Sequence, residues 1–316
     1  MLNSIRRTVA TLTAASLAFS LTACSGHHSG AADSDKPLKI ATSTNIWGDV
    51  AKSVVGDTAD VQIDPVIKDN SVDPHEFEPS AAQLARASQA DIVVVGGGGY
   101  DAWLTKTLGE KRENKNQVIV HALPLESGEH KHEGGASGDY VKEEAHDGAF
   151  NTIDDNEHIW YNTAAVSTVA NDIAQAVNKS KPNAHADATR VSNQMNDLST
   201  KLKALPERNV AQTETVADYM LDGTAMKDLT PKGYRSAALS ESEPSAADLA
   251  AFLDLVNGHR IDTLLFNPQA ENDQAERIKD AATKNNIKVV ELGETPPENT
   301  NFLDYYRSVV ETLQRS

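Results

Sequence analysis

The sequence predicts an α/β protein of two similar βα lobes, with mostly parallel sheets, joined by a long rigid connecting helix. Short apolar runs alternate with helical patterns, as in βα units around parallel sheets. The seven residues 78–84 recur at 243–249 with a single change, Gln83 to Asp248. Each copy leads through a predicted helix into an apolar strand, and an amphipathic stripe lies between the copies. The order of elements therefore repeats along the chain.

The chain begins with a predicted lipoprotein signal peptide, residues 1–23. Arg6 and Arg7 form a positively charged start, and a short apolar stretch follows them. The small residues ahead of Cys24 resemble the lipobox of bacterial lipoproteins, in which the cysteine carries lipid. We expect a mature protein anchored through Cys24 to the outer face of the bacterial cell membrane, with residues 24–36 as a flexible tether. The alternative is an ordinary signal peptide that leaves a free cysteine.

The composition excludes several classes of protein. Hydrophobic residues make up 39% and charged residues 24% of 316 residues, which is typical of a globular chain. The 46 acidic residues outnumber 29 basic ones, giving a net charge of −17. This acidity argues against a nucleic-acid partner, because phosphate binding needs a basic face. A single cysteine excludes a disulfide framework and a multi-cysteine zinc or iron–sulfur site.

The N-terminal lobe is predicted to span residues 37–182. Apolar runs predict strands at 38–41, 61–66, 92–95 and 117–120. A polar, glycine-containing insertion at about 126–150 stands where a short connection is expected. It holds His130, His132 and His146 among acidic residues.

The connecting helix is predicted at 183–205 and the C-terminal lobe at 206–316. Pro182 breaks the preceding helix, and helical spacing resumes in an apolar stripe formed by Val191, Met195, Leu198 and Leu202. In the C-terminal lobe, strands are predicted at 209–212, 263–266 and 288–291. A closing helix presents one apolar face, formed by Phe302, Leu303, Tyr306, Val310 and Leu313.

Two histidines stand in polar loops that follow predicted strands. His75 lies in Asp-Pro-His-Glu-Phe-Glu-Pro-Ser, and His158 lies in Asn-Glu-His-Ile-Trp-Tyr. Open α/β sheets bind their ligands at such loops. A lone histidine is more often a surface or core residue than a metal ligand, so the residues alone leave both interpretations open.

These two motifs resemble the histidine motifs of the metal-binding solute receptors of zinc/manganese ABC importers. The resemblance runs over nearly the whole mature chain, with further matches at 42–48, 96–103, 266–269 and 289–297. It implies a receptor, not an enzyme, that captures a divalent transition metal between its lobes. It also implies delivery of the metal to a cognate ABC permease and its ATPase.

The resemblance implies four metal ligands, which are His75, His158, Glu214 and Glu294. Glu214 precedes a segment that bears Tyr219, and Glu294 follows the last strand, where many relatives carry Asp and where Glu291 is the alternative. Two imidazoles and two carboxylates can enclose one divalent cation without an open position for activated water. Zinc is favoured because such a site binds it at least as tightly as manganese, which is the alternative cargo.

Three further interpretations remain at this point. The insertion with His130, His132 and His146 is either a low-affinity metal-collecting loop or a solvated acidic insertion. A surface metal-binding adhesin is compatible with the same residues. A zinc hydrolase is the third, since His75 and Glu76 begin a His-Glu-x-x-His pattern, but Pro79 occupies the second histidine position.

Overall fold

Two four-stranded parallel sheets form the framework of the protein. The computed structural model describes residues 36–68, 77–111, 113–125, 150–270 and 272–315. Within it, residues 37–316 form one compact unit that contains both sheets. Every strand pair in the two sheets is parallel, and the strand order of the first sheet is repeated in the second. The predicted fold class, two similar parallel-sheet α/β lobes, is confirmed.

The first lobe has the strand order β2-β1-β3-β4. Its strands are buried runs rich in β-branched residues, as in β3, where all four residues are buried. In chain order its elements are β1 (Leu38–Thr44), α1 (Asn45–Val55), β2 (Val61–Ile67), α2 (Ala81–Ser88), β3 (Ile92–Val95), α3 (Ala102–Lys111), β4 (Val118–His121) and α4 (Thr163–Ser180).

The second lobe has the equivalent order β6-β5-β7-β8. It is reached through α5 (Thr189–Lys203). Its remaining elements are β5 (Asn209–Gln212), α6 (Asp218–Leu221), β6 (Lys227–Asp228), α7 (Lys232–Leu239), α8 (Ala246–Asn257), β7 (Thr263–Phe266), α9 (Asp273–Lys284), β8 (Lys288–Glu291) and α10 (Phe302–Arg315).

The repeated segment begins a helix in each lobe. Ser80 caps α2 and Ser245 caps α8, each accepting from the backbone N–H three residues on. The side chains of Gln83 and Asp248 complete the two capping boxes by accepting from the capping residue's N–H. Along the chain, α2 lies between β2 and β3, and α8 lies between the corresponding strands β6 and β7. The sequence repeat thus reflects the structural equivalence of the two lobes.

The helix predicted at 183–205 is shorter in the structure. A 3-10 turn, Pro182–Ala184, is followed by His185 in the left-handed region at φ 50°, which interrupts helical geometry. Asp187 then accepts hydrogen bonds from the backbone N–H and hydroxyl of Thr189, at 2.9 and 2.6 Å, where α5 begins. The apolar stripe from Val191 to Leu202 is buried in α5, as the spacing predicts.

One apolar cluster extends from the first sheet to the second. It includes Ile92 and Val94 of β3 and Leu265 of β7, together with the buried faces of α4, α5 and α10. Helix α10 is tied to the first lobe, because the backbone N–H of Phe302 donates to Asp49 Oδ2 in α1 at 2.7 Å. None of the helices in the described part of the chain is long and apolar enough to cross a membrane.

The glycine run after β3 wraps around the buried carboxylate of Asp101. The N–H groups of Gly96 and Gly97 donate to Asp101 Oδ2 at 2.6 and 3.0 Å. Gly97 has φ +86°, and a Cβ there would lie 2.1 Å from the carbonyl oxygen of Leu123. Only glycine fits this position, so the residue type fixes the loop that presents Tyr100.

Asp101 makes stability depend on pH. Burial is the largest cause that raises its pKa from 3.8 to about 6, so ionising it costs the folded state more than the unfolded state. This free-energy cost is absent at pH values below the pKa of Asp101 in the unfolded chain, and it is complete at pH values above the pKa of Asp101 in the folded protein. Relative to Asp101→Asn, the wild-type free energy of unfolding should fall by about 2 kcal/mol between about pH 4 and about pH 7.

Urea unfolding of both proteins across this range, with a chelator present, measures the difference. A constant difference between the two proteins at all pH values would contradict the assignment.

Candidate metal centre

Three of the four predicted ligands meet at the carboxyl ends of the strands. His158 Nε2 lies 3.9 Å from Glu214 Oε1 and 4.0 Å from Glu294 Oε2. One ligand atom from each of the three residues lies within 4.8 Å of the other two. The side chains are 8%, 13% and 1% exposed, respectively. A histidine and two glutamates thus converge at a buried point between the two sheets.

Asn156 fixes the orientation and tautomer of His158. Its Oδ1 accepts from the backbone N–H of His158 at 2.9 Å and lies 2.7 Å from Nδ1 of the same ring. Because an amide oxygen can only accept, Nδ1 carries a proton, and Nε2 is the ring nitrogen that faces the two carboxylates. A hydrogen bond on the opposite ring nitrogen is the usual support of a metal-binding histidine.

The amide of Asn156 is held in turn by the second lobe. Its Nδ2 donates to the carbonyl of Thr215 at 2.5 Å and to Asp218 Oδ2 at 2.7 Å. The hydroxyl of Tyr219 donates to the carbonyl of Asn156 at 2.6 Å. In sequence, His158 lies in the first lobe, just before α4, yet these contacts attach its segment to the second lobe.

Asp218 is the centre of a buried ionic network behind this amide. Arg235 donates to both of its oxygens, from Nη1 at 2.8 Å and from Nη2 at 2.7 Å. Gln212 Nε2 also donates to Asp218 Oδ1 at 2.7 Å. Hydrogen bonding to Asp218 is the largest cause that raises the pKa of Arg235 above its ordinary value, so the guanidinium stays charged. Bidentate pairing of this kind holds a carboxylate in one geometry.

The two glutamates follow strands of the second sheet. Glu214 stands two residues beyond β5 in extended backbone geometry, and Glu294 stands three residues beyond β8. The loop of Glu294 is held at Gly293, whose carbonyl accepts from the hydroxyl of Tyr161 at 2.6 Å and whose N–H donates to the Tyr305 hydroxyl at 2.8 Å. The hydrogen bonds of Tyr161 and Tyr305 to the Gly293 backbone therefore hold the residue next to Glu294 in place.

Asn267 and Tyr100 donate hydrogen bonds to the glutamates. Asn267 Nδ2 donates to Glu214 Oε2 and, at 3.4 Å, to Glu294 Oε1. The Tyr100 hydroxyl donates to Glu294 Oε2 at 3.1 Å. Burial, followed by the charge of Glu294, raises the pKa of Tyr100 well above 10.0, so its hydroxyl remains a donor. These donors stabilise two carboxylates that would otherwise repel each other.

The donor set fits a divalent transition metal. A neutral imidazole and two carboxylates supply N and O ligands with two negative charges, which suits zinc and manganese alike. Around a tetrahedral zinc ion with bonds of 2.0–2.1 Å, neighbouring ligand atoms stand roughly 3.3–3.5 Å apart. The observed separations of 3.9 and 4.0 Å exceed this by about half an ångström, a distance that small side-chain rotations cover.

The remaining predicted residues fall elsewhere. Glu291 lies in β8, paired with Phe266, and its side chain is exposed. The proposed fourth ligand, the insertion histidines and the lipidation site lie outside the described residues; they are His75, His130, His132, His146 and Cys24.

The residues that support the ligands were not predicted. Asn156 and Asn267 stand inside motifs that the sequence analysis used, but nothing in the linear pattern indicates where their amides point. Asp218 and Arg235 are 17 positions apart, and their pairing depends on the tertiary fold that brings α6 and α7 together. The one available signal was a set of polar residues directly after β-strands, where α/β sheets place their sites.

A cavity of about 360 Å³ adjoins two of the three clustered residues. His158 and Glu214 line it, together with the acidic residues Asp155, Glu157 and Glu241. A larger cavity of about 770 Å³ lies beside α1 and the segment before α10, where charges of both signs line it; His158, Glu214 and Glu294 are not among its described lining residues. The smaller, acidic cavity is the one that borders the candidate centre.

Known proteins share this architecture. The "Zinc-binding lipoprotein AdcA" of Streptococcus pneumoniae is 25% identical over 321 residues, covering 96% of this chain and 59% of that protein. The chain thus spans about 59% of the length of this relative. The "Manganese ABC transporter substrate-binding lipoprotein PsaA" of Streptococcus pneumoniae is 38% identical over 107 residues, covering 32% of this chain and 33% of that protein.

A solved structure confirms the fold. The periplasmic zinc binding protein TroA from Treponema pallidum superposes with a TM-score of 0.65 at 15% identity, covering 89% of this chain and 98% of that one. At this identity the likeness concerns the fold alone. The family described as "ZnuA: Zinc-uptake complex component A periplasmic" matches residues 40–316. This match covers most of the chain and agrees with the resemblance in the sequence motifs, and the protein belongs to the ZnuA family.

Proposed function

We propose that the protein is an extracytoplasmic receptor that captures a divalent transition metal and delivers it to an ABC permease and its ATPase. The convergence of His158, Glu214 and Glu294 at one buried point is the observation that supports this proposal. The names of the relatives, one zinc-binding and one in manganese transport, support the same class of cargo.

Zinc is the proposed cargo, with manganese as the alternative. The three clustered ligands, with His75 as the proposed fourth, would surround one ion with two imidazoles and two carboxylates. Four protein ligands leave no position for an activated water, which suits reversible capture and not hydrolysis. The two carboxylate charges would neutralise the dication inside a buried site.

The acidic cavity would guide the ion to the ligands. Asp155, Glu157 and Glu241 surround the approach on the side of His158 and Glu214. Like charges along a concave surface raise the local concentration of oppositely charged ligands. Lipid attached to Cys24 would anchor the loaded receptor to the membrane and so keep it close to the membrane-embedded permease. Such an anchor is stable when it carries two or more acyl chains.

Removing any one clustered ligand should abolish tight binding. His158→Ala, Glu214→Gln and Glu294→Gln should each lower zinc affinity by more than about 100-fold, because each removes a direct ligand, whereas loss of a supporting hydrogen bond costs about 10–100-fold. Isothermal titration of the chelator-treated protein with zinc, in competition with a chelator of known affinity, measures the change.

Glu291→Gln is the matched control, since it makes the same chemical change three residues from Glu294 on an exposed side chain. It should bind zinc like the wild type. Wild-type affinity in Glu294→Gln together with loss in Glu291→Gln would place the ligand at residue 291 instead.

His75→Ala tests the proposed fourth ligand. It should lower zinc affinity by more than about 100-fold, because a proposed direct ligand is lost. Zinc should therefore raise the melting temperature of the variant much less than that of the wild type. An equal zinc-induced shift in both proteins would remove His75 from the site.

Deleting residues 129–147 tests whether the insertion contributes to the tight metal site. One tight site should remain, because His158, Glu214 and Glu294 all lie outside the deleted segment. Total zinc bound at high concentration should fall if the insertion is the proposed collecting loop, since its histidines and carboxylates are gone. Equilibrium dialysis at low and high zinc measures both quantities. Loss of the tight site would show that the insertion supplies a direct ligand.

A further inference from the structure

We propose that Asn267 determines metal preference by restricting both glutamates to one-oxygen ligation, which favours zinc over manganese. This inference rests on the proposed function and concerns the selectivity of the same site. Asn267 is 2% exposed and stands directly after β7, between the two glutamates and away from His158.

The orientation of the Asn267 amide is fixed by its own contacts. Its Oδ1 accepts from the backbone N–H of Gln269 at 2.9 Å, and its backbone N–H donates to Thr213 Oγ1 at 3.1 Å. A flipped amide would place its NH₂ group against a backbone N–H and its oxygen against two carboxylates. Neither arrangement can form a hydrogen bond, so Nδ2 must face the glutamates.

This amide divides the four carboxylate oxygens into two pairs. Glu214 Oε2 and Glu294 Oε1 face Asn267 Nδ2, whereas Glu214 Oε1 and Glu294 Oε2 face His158 Nε2. Only the second pair is directed at the point where the three ligands converge. Each glutamate therefore presents a single oxygen to that point.

Two-oxygen ligation would require both glutamates to turn away from Asn267. A bidentate carboxylate places its two oxygens at similar distances from the ion, so the oxygen on the amide side would have to leave Nδ2. That rotation breaks charge-assisted hydrogen bonds and leaves a buried NH₂ group without acceptors, which is costly. The contact with Asn267 thus opposes bidentate binding at both glutamates together.

The consequence is a limit on coordination number. Zinc in closed protein sites is almost always four-coordinate, with one atom from each ligand. Manganese favours six-coordinate oxygen-rich sites, which bidentate carboxylates help to complete. A residue that restricts each carboxylate to one ligating oxygen therefore lowers the affinity for manganese more than the affinity for zinc.

The test compares the full-length wild type with Asn267→Ala, using zinc, manganese and cobalt ions as probes. Zinc affinity should fall about 10–100-fold, as for other groups that support a ligand. Manganese affinity should stay constant or rise, because the freed carboxylates can bind through both oxygens. The zinc-to-manganese affinity ratio should thus fall at least about tenfold. The cobalt complex should lose the intense visible absorption of four-coordinate geometry.

Asn156→Ala is the matched control, because it removes a buried asparagine that supports His158 and not the carboxylates. It should lower both affinities by similar factors and leave the cobalt intensity of the bound complex unchanged. Asn267→Ser, which also lacks the amide donor, serves if the alanine variant fails to fold.

Two outcomes would overturn the inference and are distinguishable. Equal losses of zinc and manganese affinity in the Asn267 variant, with unchanged cobalt intensity, would make Asn267 a structural support only, while the proposed function would stand. Failure of the wild type to bind one equivalent of zinc or manganese tightly would overturn the proposed function, and this inference with it.

Discussion

The side-chain amide of Asn156 is the contact on which the geometry of the site depends. One end of it orients His158, and the other end bonds to Thr215 and Asp218 in the second lobe. Both ends are committed, because the oxygen accepts from a ring N–H and the nitrogen donates to a carboxylate and a carbonyl. Buried polar groups linked in this way specify a single arrangement, since any other leaves a partner unsatisfied. The position of His158 relative to Glu214 is thereby set by hydrogen bonds and not by apolar packing alone.

The Asn156 contact bears on whether metal binding requires the two lobes to move. The family resemblance in the sequence implied that the metal is captured between the two lobes. In the structure, the segment of His158 is hydrogen-bonded to the second lobe, in which both glutamates lie. One apolar cluster also runs through α4, α5 and α10 into both sheets. Separating the sheets would have to break that cluster or detach Asn156. The three clustered residues, which we propose as ligands, are thus held together by the protein itself, which would lower the ordering cost of binding a metal.

The sequence predicted the elements well where burial leaves a repeating pattern. Strand β3 is apolar because both of its faces are covered, and the stripe from Val191 to Leu202 keeps helical spacing because one face of α5 is buried. Strand β6 escaped prediction because it consists of two exposed polar residues, Lys227 and Asp228, which pair with β5 and carry no apolar pattern. The early start assigned to the connecting helix fails at His185, whose left-handed backbone has no signature in side-chain hydrophobicity.

The site followed the same division between pattern and packing. The three residues that cluster, which we propose as ligands, could be named from motif resemblance, because a histidine or carboxylate after a strand is recognisable in the sequence. Their supports could not, because an asparagine in a loop is ordinarily a turn residue, and only folding reveals the acceptors that its amide meets. Asn156 and Asn267 are both of this kind, one behind the imidazole and the other between the carboxylates.

These supports also explain how a receptor with two buried carboxylates exists without its cargo. Two such groups close together raise the free energy of the folded state, because each loses hydration and repels the other. Asn267 donates to both, and Tyr100, kept protonated by burial, donates to Glu294. Neutral donors offset only part of a charge–charge repulsion, whereas a dication would neutralise both carboxylates. At the proposed site, the residual repulsion would therefore be a source of binding free energy for the ion, so that local stability would be exchanged for affinity.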